Sequence, residues 1–352
     1  MAKVSHAIIA QQLGISRATV TRSLANHPAI SAETRARVIA AADTLGYRPS
    51  PGRAVRNRKG GSRRLTVAVL IGLEVPAEKA ELTTYPQILK GIRERAEIER
   101  VHVDVHYTMP TAFHPENSPQ DFFRLIRQGD WRGAILIYPF SEPSVETIAG
   151  KISTVGVLES YNSPGVDIID TDDAFAVCSL AETLRAAGHE RIGFLSWRYE
   201  IGGHWVARRF SGYVEALFQN DLPFNPDWVI NVRRATGIVP RGQEADAVAR
   251  LVREQGVTGW VCAADHQAYR LIEDLHARGI RVPQDCSITG FDGLEPPNGQ
   301  PRVTSMRVPH EHIGASALSR LISRIQHPTS PRRKILVEAQ LVNGATVAPP
   351  AR

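Results

Sequence analysis

The apolar positions of the first fifty residues recur at helical spacing in three short runs. Ile8, Ile9, Ala10 and Leu13 predict an amphipathic helix from about Ser5 to Leu13. Gly14 ends it, because the tight turn that follows needs the left-handed backbone glycine adopts without steric cost. Ile15 plugs that turn, and Ser16 is placed to cap a second helix through its hydroxyl. In the second helix Ala18 suits a close crossing, Val20 and Leu24 repeat at i, i+4 and face inward, and Arg17, Thr21 and Arg22 are left outward. A third helix opens at Ser31 with Thr34 close behind, buries Val38, Ile39, Ala42 and Leu45, and stops at Gly46. Two short helices joined by a glycine turn, the second with a basic, hydroxylated outer face, describe a helix-turn-helix, although periodicity alone fits any three-helix miniature core equally well.

From Leu65 the pattern changes to short apolar runs alternating with amphipathic ones. Strands are predicted at 65–71, 101–107, 133–138 and 153–158, with helices at 85–99, 118–128 and 143–151 between them. After Asp167-Ile168-Ile169-Asp170 a second series begins. It has helices at 172–187, 204–219, 243–255 and 267–278, and strands at 192–196, 228–232, 259–263 and 287–291. Strand–helix–strand at this spacing is the rule of parallel, doubly wound sheets, and two series give two lobes. Ligands of such folds bind beyond the carboxyl ends of the strands.

Charge decides what the head is for. Residues 1–64 hold twelve Lys or Arg against only Glu33 and Asp43, a net charge of +10, whereas the remaining residues carry −4. So much positive charge on a small domain is unfavourable unless a polyanion neutralises it, and nucleic acid is the usual one. No stretch approaches eighteen consecutive apolar residues and no apolar run follows the first basic residue, so neither a membrane span nor a signal peptide is expected, and the location is cytoplasmic. Cys178, Cys262 and Cys286 are odd in number, far apart and set among apolar residues, which reads as three small buried hydrophobes in a reducing compartment.

Ile9-Ala10, Gly14-Ile15-Ser16, Thr19-Val20, Arg22, Ser31, Thr34-Arg35, Val38, Ala41-Ala42, Leu45-Gly46-Tyr47 and Pro49 together resemble the DNA-binding signature of the LacI/GalR family of transcriptional regulators, nearly without gaps. Weaker landmarks continue the resemblance: Gly188-His189-Glu190-Arg191-Ile192, Arg209 with Gly212-Tyr213, Ala264-Asp265, Ile288-Thr289-Gly290-Phe291-Asp292, Thr304 and Pro309. The implied fold is an N-terminal all-α helix-turn-helix domain (1–48), a basic hinge (49–64) and an α/β two-lobed, periplasmic-binding-protein-like core with two parallel sheets (65–345). The lobes are expected at about 65–160 with 293–325, and 161–292 with 326–345.

By that resemblance Arg17, Ala18 and Arg22 take the base-reading positions, with Arg22 suited to bidentate pairing with guanine and Ala18 to apolar contact with a thymine methyl. Thr19 and Thr21 are expected at phosphates, Thr19 having the competing use of a hydroxyl bond within the helix, and Ser16 is counted with the DNA-binding residues. In the hinge the family places an alanine and, three residues on, a leucine that wedges into the minor groove. Here the run is Arg53-Ala54-Val55-Arg56, so Val55 is the one apolar wedge, flanked by Arg53 and Arg56, and an unstructured basic linker is the competing reading. The family's effector sits between the lobes, most often a sugar or nucleobase. Arg209 and Asp292 match the residues that bind it, and Glu159 matches an acidic position of the same pocket. An arginine fork with carboxylates is sound chemistry for polyols. Each also has a plain reading, Arg209 as a surface helix arginine and Asp292 as a loop cap; Asp265 is expected to be a helix N-cap. Tyr85, Trp197 and Trp205 are the candidates for stacking on a sugar face.

Two constellations hint at other chemistry. His102, Asp104 and His106 alternate on one strand face as metal ligands would, but the solvated face of a strand whose Val101, Val103 and Val105 are buried explains them better. Gly202-Gly203 lacks the lysine and further glycines of a nucleotide loop. Ser196 and Ser211 have no His and Asp at informative spacing. The expectation is therefore a transcriptional regulator, not an enzyme, without cofactor or metal. It would be a homodimeric repressor on a pseudo-palindromic DNA operator, controlled by a small sugar-like effector. A solute-binding receptor and a metabolic enzyme fused to a DNA-binding head are the alternatives.

Overall fold

The computed structural model describes residues 4–24, 30–45, 47, 64–73, 83–115, 120–232, 238–297 and 299–351. The head is three helices, α1 (His6–Leu13), α2 (Arg17–Leu24) and α3 (Ala32–Thr44), around Ile9, Ala10, Val20, Val38, Ala41 and Ala42. Gly14, at φ 65°, turns its N–H back to the carbonyls of Ala10 and Gln11 and so ends α1. The Thr19 N–H donates to Ser16 Oγ at 3.0 Å and the Thr34 N–H to Ser31 Oγ at 3.2 Å, the two hydroxyl caps that the sequence placed there. The inward stripes are offset from those expected. Ser23 is fully buried beside Val20, whereas Leu24 is half-buried and Ala18 lies on the exposed face. In α3 the buried line runs through Val38, Ala41 and Ala42, with Ile39 and Leu45 at its margin. Arg35 is buried and donates to the carbonyls of Ile30, Gly150 and Lys151 at 3.2, 2.8 and 3.2 Å. The last two close α6 (Glu142–Ala149), so the cation meets the negative end of that helix.

Two six-stranded sheets follow. The first combines β1 (Thr66–Ile71), β2 (His102–Tyr107), β3 (Trp131–Ile137), β4 (Ser153–Val157), β5 (Val166–Thr171) and β11 (Lys334–Val337) in the order β11-β5-β4-β3-β1-β2. Strands β1 to β5 run parallel, with Val69 between Val105 and Ile135. Helices α4 (Tyr85–Glu99), α5 (Gln120–Gly129), α6 and α11 (His310–Gln326) belong to this unit. The second sheet has β6 (Ile192–Leu195), β7 (Val229–Ile230), β8 (Gly259–Cys262), β9 (Ser287–Asp292), β10 (Thr304–Arg307) and β12 (Gln340–Val342), ordered β12-β10-β9-β8-β6-β7. Its strands β6 to β10 pair in parallel, and β12 runs antiparallel on β10. Its helices are α7 (Asp173–Ala186), α8 (His204–Gln219), α9 (Glu244–Gln255) and α10 (Asp265–His276).

The chain changes unit later than expected near Ser160, Gly293 and Gln326. The divisions fall after Asp170, Pro309 and Ile335. The cause is strand pairing: Val166–Ile169 hydrogen-bonds to β4 and stays in the first sheet, while Thr304–Arg307 pairs with β9 and stays in the second. The three cysteines are free and buried. On β2, Trp131 Nε1 donates to Asp104 Oδ2 at 2.8 Å and His106 Nε2 lies 3.0 Å from Asp104 Oδ1. Val103 and Val105 are half-buried, not buried, because β2 is an edge strand. Asp104 and His106 are likewise half-buried, so only His102 fits the solvated face.

One ion cluster fastens the first unit. Asp167, fully buried on β5, accepts from Arg320 Nε at 2.7 Å, from Arg324 Nε and Nη2 at 2.8 and 2.7 Å, and from the Arg333 N–H at 2.6 Å. The two guanidinia also donate to the carbonyls of Ser330 and Pro331. Burial alone would raise the Asp167 carboxyl, but these hydrogen bonds outweigh it and hold the group below the usual carboxylate range. The cluster thus ties β5, α11 and the segment leading into β11. Asp167→Ala leaves two buried arginines without their counter-charge and is expected to cost about 3–5 kcal/mol, read as a lowered midpoint of chemical denaturation, with Asp167→Asn intermediate.

Candidate functional site

On the head, Ser16, Arg17, Ala18, Thr21 and Arg22 are exposed and Thr19 is half-buried. Arg17, Ala18 and Arg22 share the open outer face of α2 because Val20 and Ser23 turn inward. The hydroxyls are already engaged. Thr19 Oγ1 lies 2.9 Å from Ser16 Oγ, which is the local bond that competed with a phosphate contact. Thr21 donates its single hydroxyl hydrogen to the Arg17 carbonyl at 2.9 Å and sits 3.0 Å from His6 Nδ1. His6 Nε2 is in turn 2.6 Å from the Tyr47 hydroxyl. Phosphate oxygens accept and do not donate, so Thr21 in this rotamer frames the head instead of gripping a backbone. Arg53, Val55 and Arg56 lie outside the described residues.

In the first unit, Glu159 follows β4 and is 2 % exposed; its Oε1 accepts from the Ser160 N–H at 3.0 Å. Tyr85, the first residue of α4, is buried and groups with the second unit, which α4 leaves at Gln87.

In the second unit, Arg209 on α8 is the centre. It is 5 % exposed, which excludes a surface role. Its Nε donates to Asp173 Oδ1 at 2.9 Å and its Nη1 to the Ala263 carbonyl at 2.6 Å; Nη2 lies 3.6 Å from Asp292 Oδ1. The guanidinium stands over the ring of Phe291 at 3.6 Å and that of Trp205 at 4.6 Å. Arg208 donates to the other oxygen of Asp173 at 2.9 Å. Asp292 ends β9 with φ 118°, a left-handed backbone that costs a non-glycine residue of order 1–3 kcal/mol and is found where a side chain must be aimed. Burial, together with the charges of Asp265 and Asp173, pushes the Asp292 carboxyl up to about 7 against the pull of Arg209.

Asp265 is not the N-cap that the sequence suggested. Ala264 holds that position, and Asp265 is the first helical residue, fully buried. Its oxygens accept from Ser305 Oγ at 2.6 Å and the Leu294 N–H at 2.7 Å, so it fixes the turn just after Asp292. Burial raises it to about 6. Trp197 and Trp205 join this centre through rings: Trp197 lies 4.9 Å from His266, and Trp205 lies 5.2 Å from Tyr199. Burial and the charges of Arg209 and Arg241 lower His266 to about 4, leaving a neutral imidazole. The Tyr199 hydroxyl is 3.3 Å from its Nε2 and accepts from Gln267 Nε2 at 2.9 Å. Asp173, Tyr199, His266 and Gln267 were missed from the sequence. The one usable signal was the pair Asp172-Asp173 at a helix start: Asp172 accepts from the Phe175 N–H and caps, which leaves the second acid for another task.

An arginine held by one carboxylate and facing a second, weakly engaged one, with aromatic rings around them, can bind a neutral molecule rich in hydroxyls. The comparisons agree with a regulator. Residues 9–50 match the model of bacterial regulatory proteins of the lacI family, and residues 181–347 match a periplasmic binding protein-like domain. A helix-turn-helix transcriptional regulator encoded in the aml 5′ region of Streptomyces limosus is 30 % identical over 351 residues, 95 % of this chain and 92 % of its own length. The chain belongs to the LacI family. A second relative, the helix-turn-helix transcriptional repressor CytR of Escherichia coli K12, is 26 % identical over 349 residues, covering 97 % of this chain and 96 % of the relative. The solved complex of the transcriptional regulator CelR with cellobiose superposes with a TM-score of 0.63 at 20 % identity, over 98 % of this chain and all of that one. These relatives are transcriptional regulators, not enzymes, and the LacI-family chain described here is a DNA-binding regulator under effector control. Among the described residues no helix is long and apolar enough to cross a membrane.

The two raised carboxyls give this LacI-family core a pH signature. An unfolded aspartate titrates near 4, so between about pH 4 and 7 these two carboxyls hold extra protons in the folded state and lower stability as pH rises, while the depressed His266 and His189 act in the opposite sense below the ordinary histidine range. Asp292→Asn removes one of the opposing contributions, so from pH 5 to 8 the thermal-denaturation midpoint of the variant, relative to the unaltered chain, is expected to rise with pH.

Proposed function

We propose that this chain represses transcription as a homodimer on a pseudo-palindromic operator, and that a neutral sugar-like molecule bound at Arg209 and Asp292 sets its affinity for DNA. The observation that carries the proposal is Arg209, buried at the carboxyl ends of β8 and β9 between Asp173 and the strained Asp292. Asp292 Oδ1 lies 3.6 Å from Arg209 Nη2, and a carboxylate placed there can accept hydrogen bonds from ligand hydroxyls. The cellobiose in the CelR complex supports a sugar, and the repressor CytR supports the sign.

On DNA, Arg22 reads a base from the exposed face of α2, Arg17 and Ala18 line the same groove, and Ser16 marks the phosphate-facing helix start. In the hinge, Arg53, Val55 and Arg56 approach the minor groove. Two such heads related by a dyad read two half-sites. Effector and operator each change the other's affinity by the same factor.

The test selects duplexes from a random pool with the full chain, then titrates the best of them with sugars by fluorescence anisotropy. A salt-sensitive, sequence-selective complex whose affinity shifts with one sugar is expected; binding that no sugar alters would overturn the effector reading. Arg209→Ala should keep operator affinity and lose the response. Arg22→Ala should cost roughly 1–3 kcal/mol and relax selectivity at one base position.

A further inference from the structure

In the head, three elements meet at one titratable side chain. His6, the first residue of α1, is half-buried between Thr21 of α2 and Tyr47, which follows α3. Its Nδ1 lies 3.0 Å from Thr21 Oγ1 and its Nε2 lies 2.6 Å from the Tyr47 hydroxyl, with the two ring centroids 5.2 Å apart. The hydrogens along this chain of bonds follow from one fixed point. Thr21 gives its only hydroxyl hydrogen to the Arg17 carbonyl, so toward His6 it can only accept, and Nδ1 must carry a hydrogen. A neutral imidazole then has none on Nε2, and the Tyr47 hydroxyl donates to it.

One proton reverses the last of these bonds. With Nε2 protonated, His6 donates from both nitrogens, Tyr47 becomes the acceptor, and its own hydroxyl hydrogen turns away from the imidazole. The same proton places a positive charge against α2, whose exposed face carries Arg17 and Arg22. Histidine is the side chain whose charge ordinarily changes between pH 5 and 8. Helix α1 has no other charged residue, α2 has those two arginines, and α3 adds Glu33, Arg35, Arg37 and Asp43. Arg35 is turned onto the carbonyls of Gly150 and Lys151. Without DNA, the arginines of α2 oppose a further cation beside them. Phosphates laid along that face remove the opposition and favour the charged imidazole.

We propose that His6 and Tyr47 form a proton-gated contact to the DNA backbone, in which protonation of His6 adds one cation to the head and turns the Tyr47 hydroxyl hydrogen toward a phosphate oxygen. The DNA-bound head then holds more protons than the free one, so affinity rises as pH falls through the histidine range. This rests on the head's binding of DNA and not on which operator or effector the chain recognises.

The experiment measures the full chain on mixed-sequence duplex DNA at low salt by fluorescence anisotropy, at pH 6 and pH 8, beside His6→Gln, which cannot titrate. Asp265 and Asp292 of the second unit, raised to about 6 and about 7, also titrate in this window. The quantity read is therefore the ratio of the unaltered chain's association constant to the variant's, in which their contributions cancel. That ratio is expected to rise about fivefold from pH 8 to pH 6. Tyr47→Phe keeps the imidazole and loses the hydroxyl, so its ratio should rise less, by about twofold. His27, the head's other histidine in the sequence, is the control, and the ratio for His27→Gln should stay level. Circular dichroism checks the fold of each variant; where His6→Gln does not fold, the Tyr47→Phe ratio decides alone. A His6→Gln ratio equal at the two pH values would overturn the proposal, because a side chain that only ties the helices together weakens binding alike at both. So would a rise with His27→Gln in place of His6→Gln.

Discussion

A guanidinium taken out of water must find compensation for its charge, and in the second unit that single requirement arranges the elements around it. Arg209 is reached by Asp173 from the start of α7, by the Ala263 carbonyl just after β8, and by Phe291 and Asp292 from the end of β9. Helix α8, which carries it, is thereby fixed against three separate pieces of chain. The low dielectric that makes an unpaired charge costly also strengthens each bond that is formed. Trp205 closes the set by covering the guanidinium face.

The first unit contains its own arginine–aspartate cluster, and the contrast between the two separates structure from function. Around Asp167 the carboxylate takes four short hydrogen bonds, and the excess positive charge is spread over backbone carbonyls. Nothing there is strained, and the carboxyl lies below its usual range. Around Arg209, Asp292 has positive φ, a long approach of 3.6 Å and a carboxyl raised to about 7. The two clusters thus differ in backbone strain, in the length of the charged approach and in the direction in which the carboxyl is shifted.

Much of this was legible in the sequence because periodicity and charge are local properties. The head's three helices, their Ser16 and Ser31 caps and the helix 85–99 follow from spacing alone. The uneven charge identified the head as a polyanion binder before any fold was considered. Arg209 and Asp292 came from the family resemblance, and their packing explains why those residue types sit there. What escaped notice depends on partners far along the chain. Val166–Thr171 reads as the lead-in to a helix, and only pairing with β4 makes it part of the first sheet. Asp265 looks like a cap until Ser305, forty residues on, is seen to claim it. Strands β11 and β12 are four and three residues long and contain no fully buried residue, too little for a pattern to mark them.

Backbone strain sorts the remaining ambiguity. Seven non-glycine residues among those described have positive φ. Arg100, Asp130 and Asp221 come just after α4, α5 and α8, where a left-handed residue ends a helix and satisfies its last carbonyls. The other four are at strand ends: Tyr138 after β3, Leu158 after β4, Asn231 after β7 and Asp292 closing β9. No helix cap accounts for these. They lie at the carboxyl edge of a sheet, in the first unit and again in the second, and each is backed by a bond that holds it. The Tyr161 hydroxyl donates to the Tyr138 carbonyl, the Leu158 N–H to Ile169, and Asn231 clasps Val239. A chain that turns sharply at that edge throws the following side chains, Glu159 among them, out beyond the strands. In the second unit the strain at Asn231 and Asp292 falls at the sheet edge beyond the strands, the edge at which parallel sheets receive ligands.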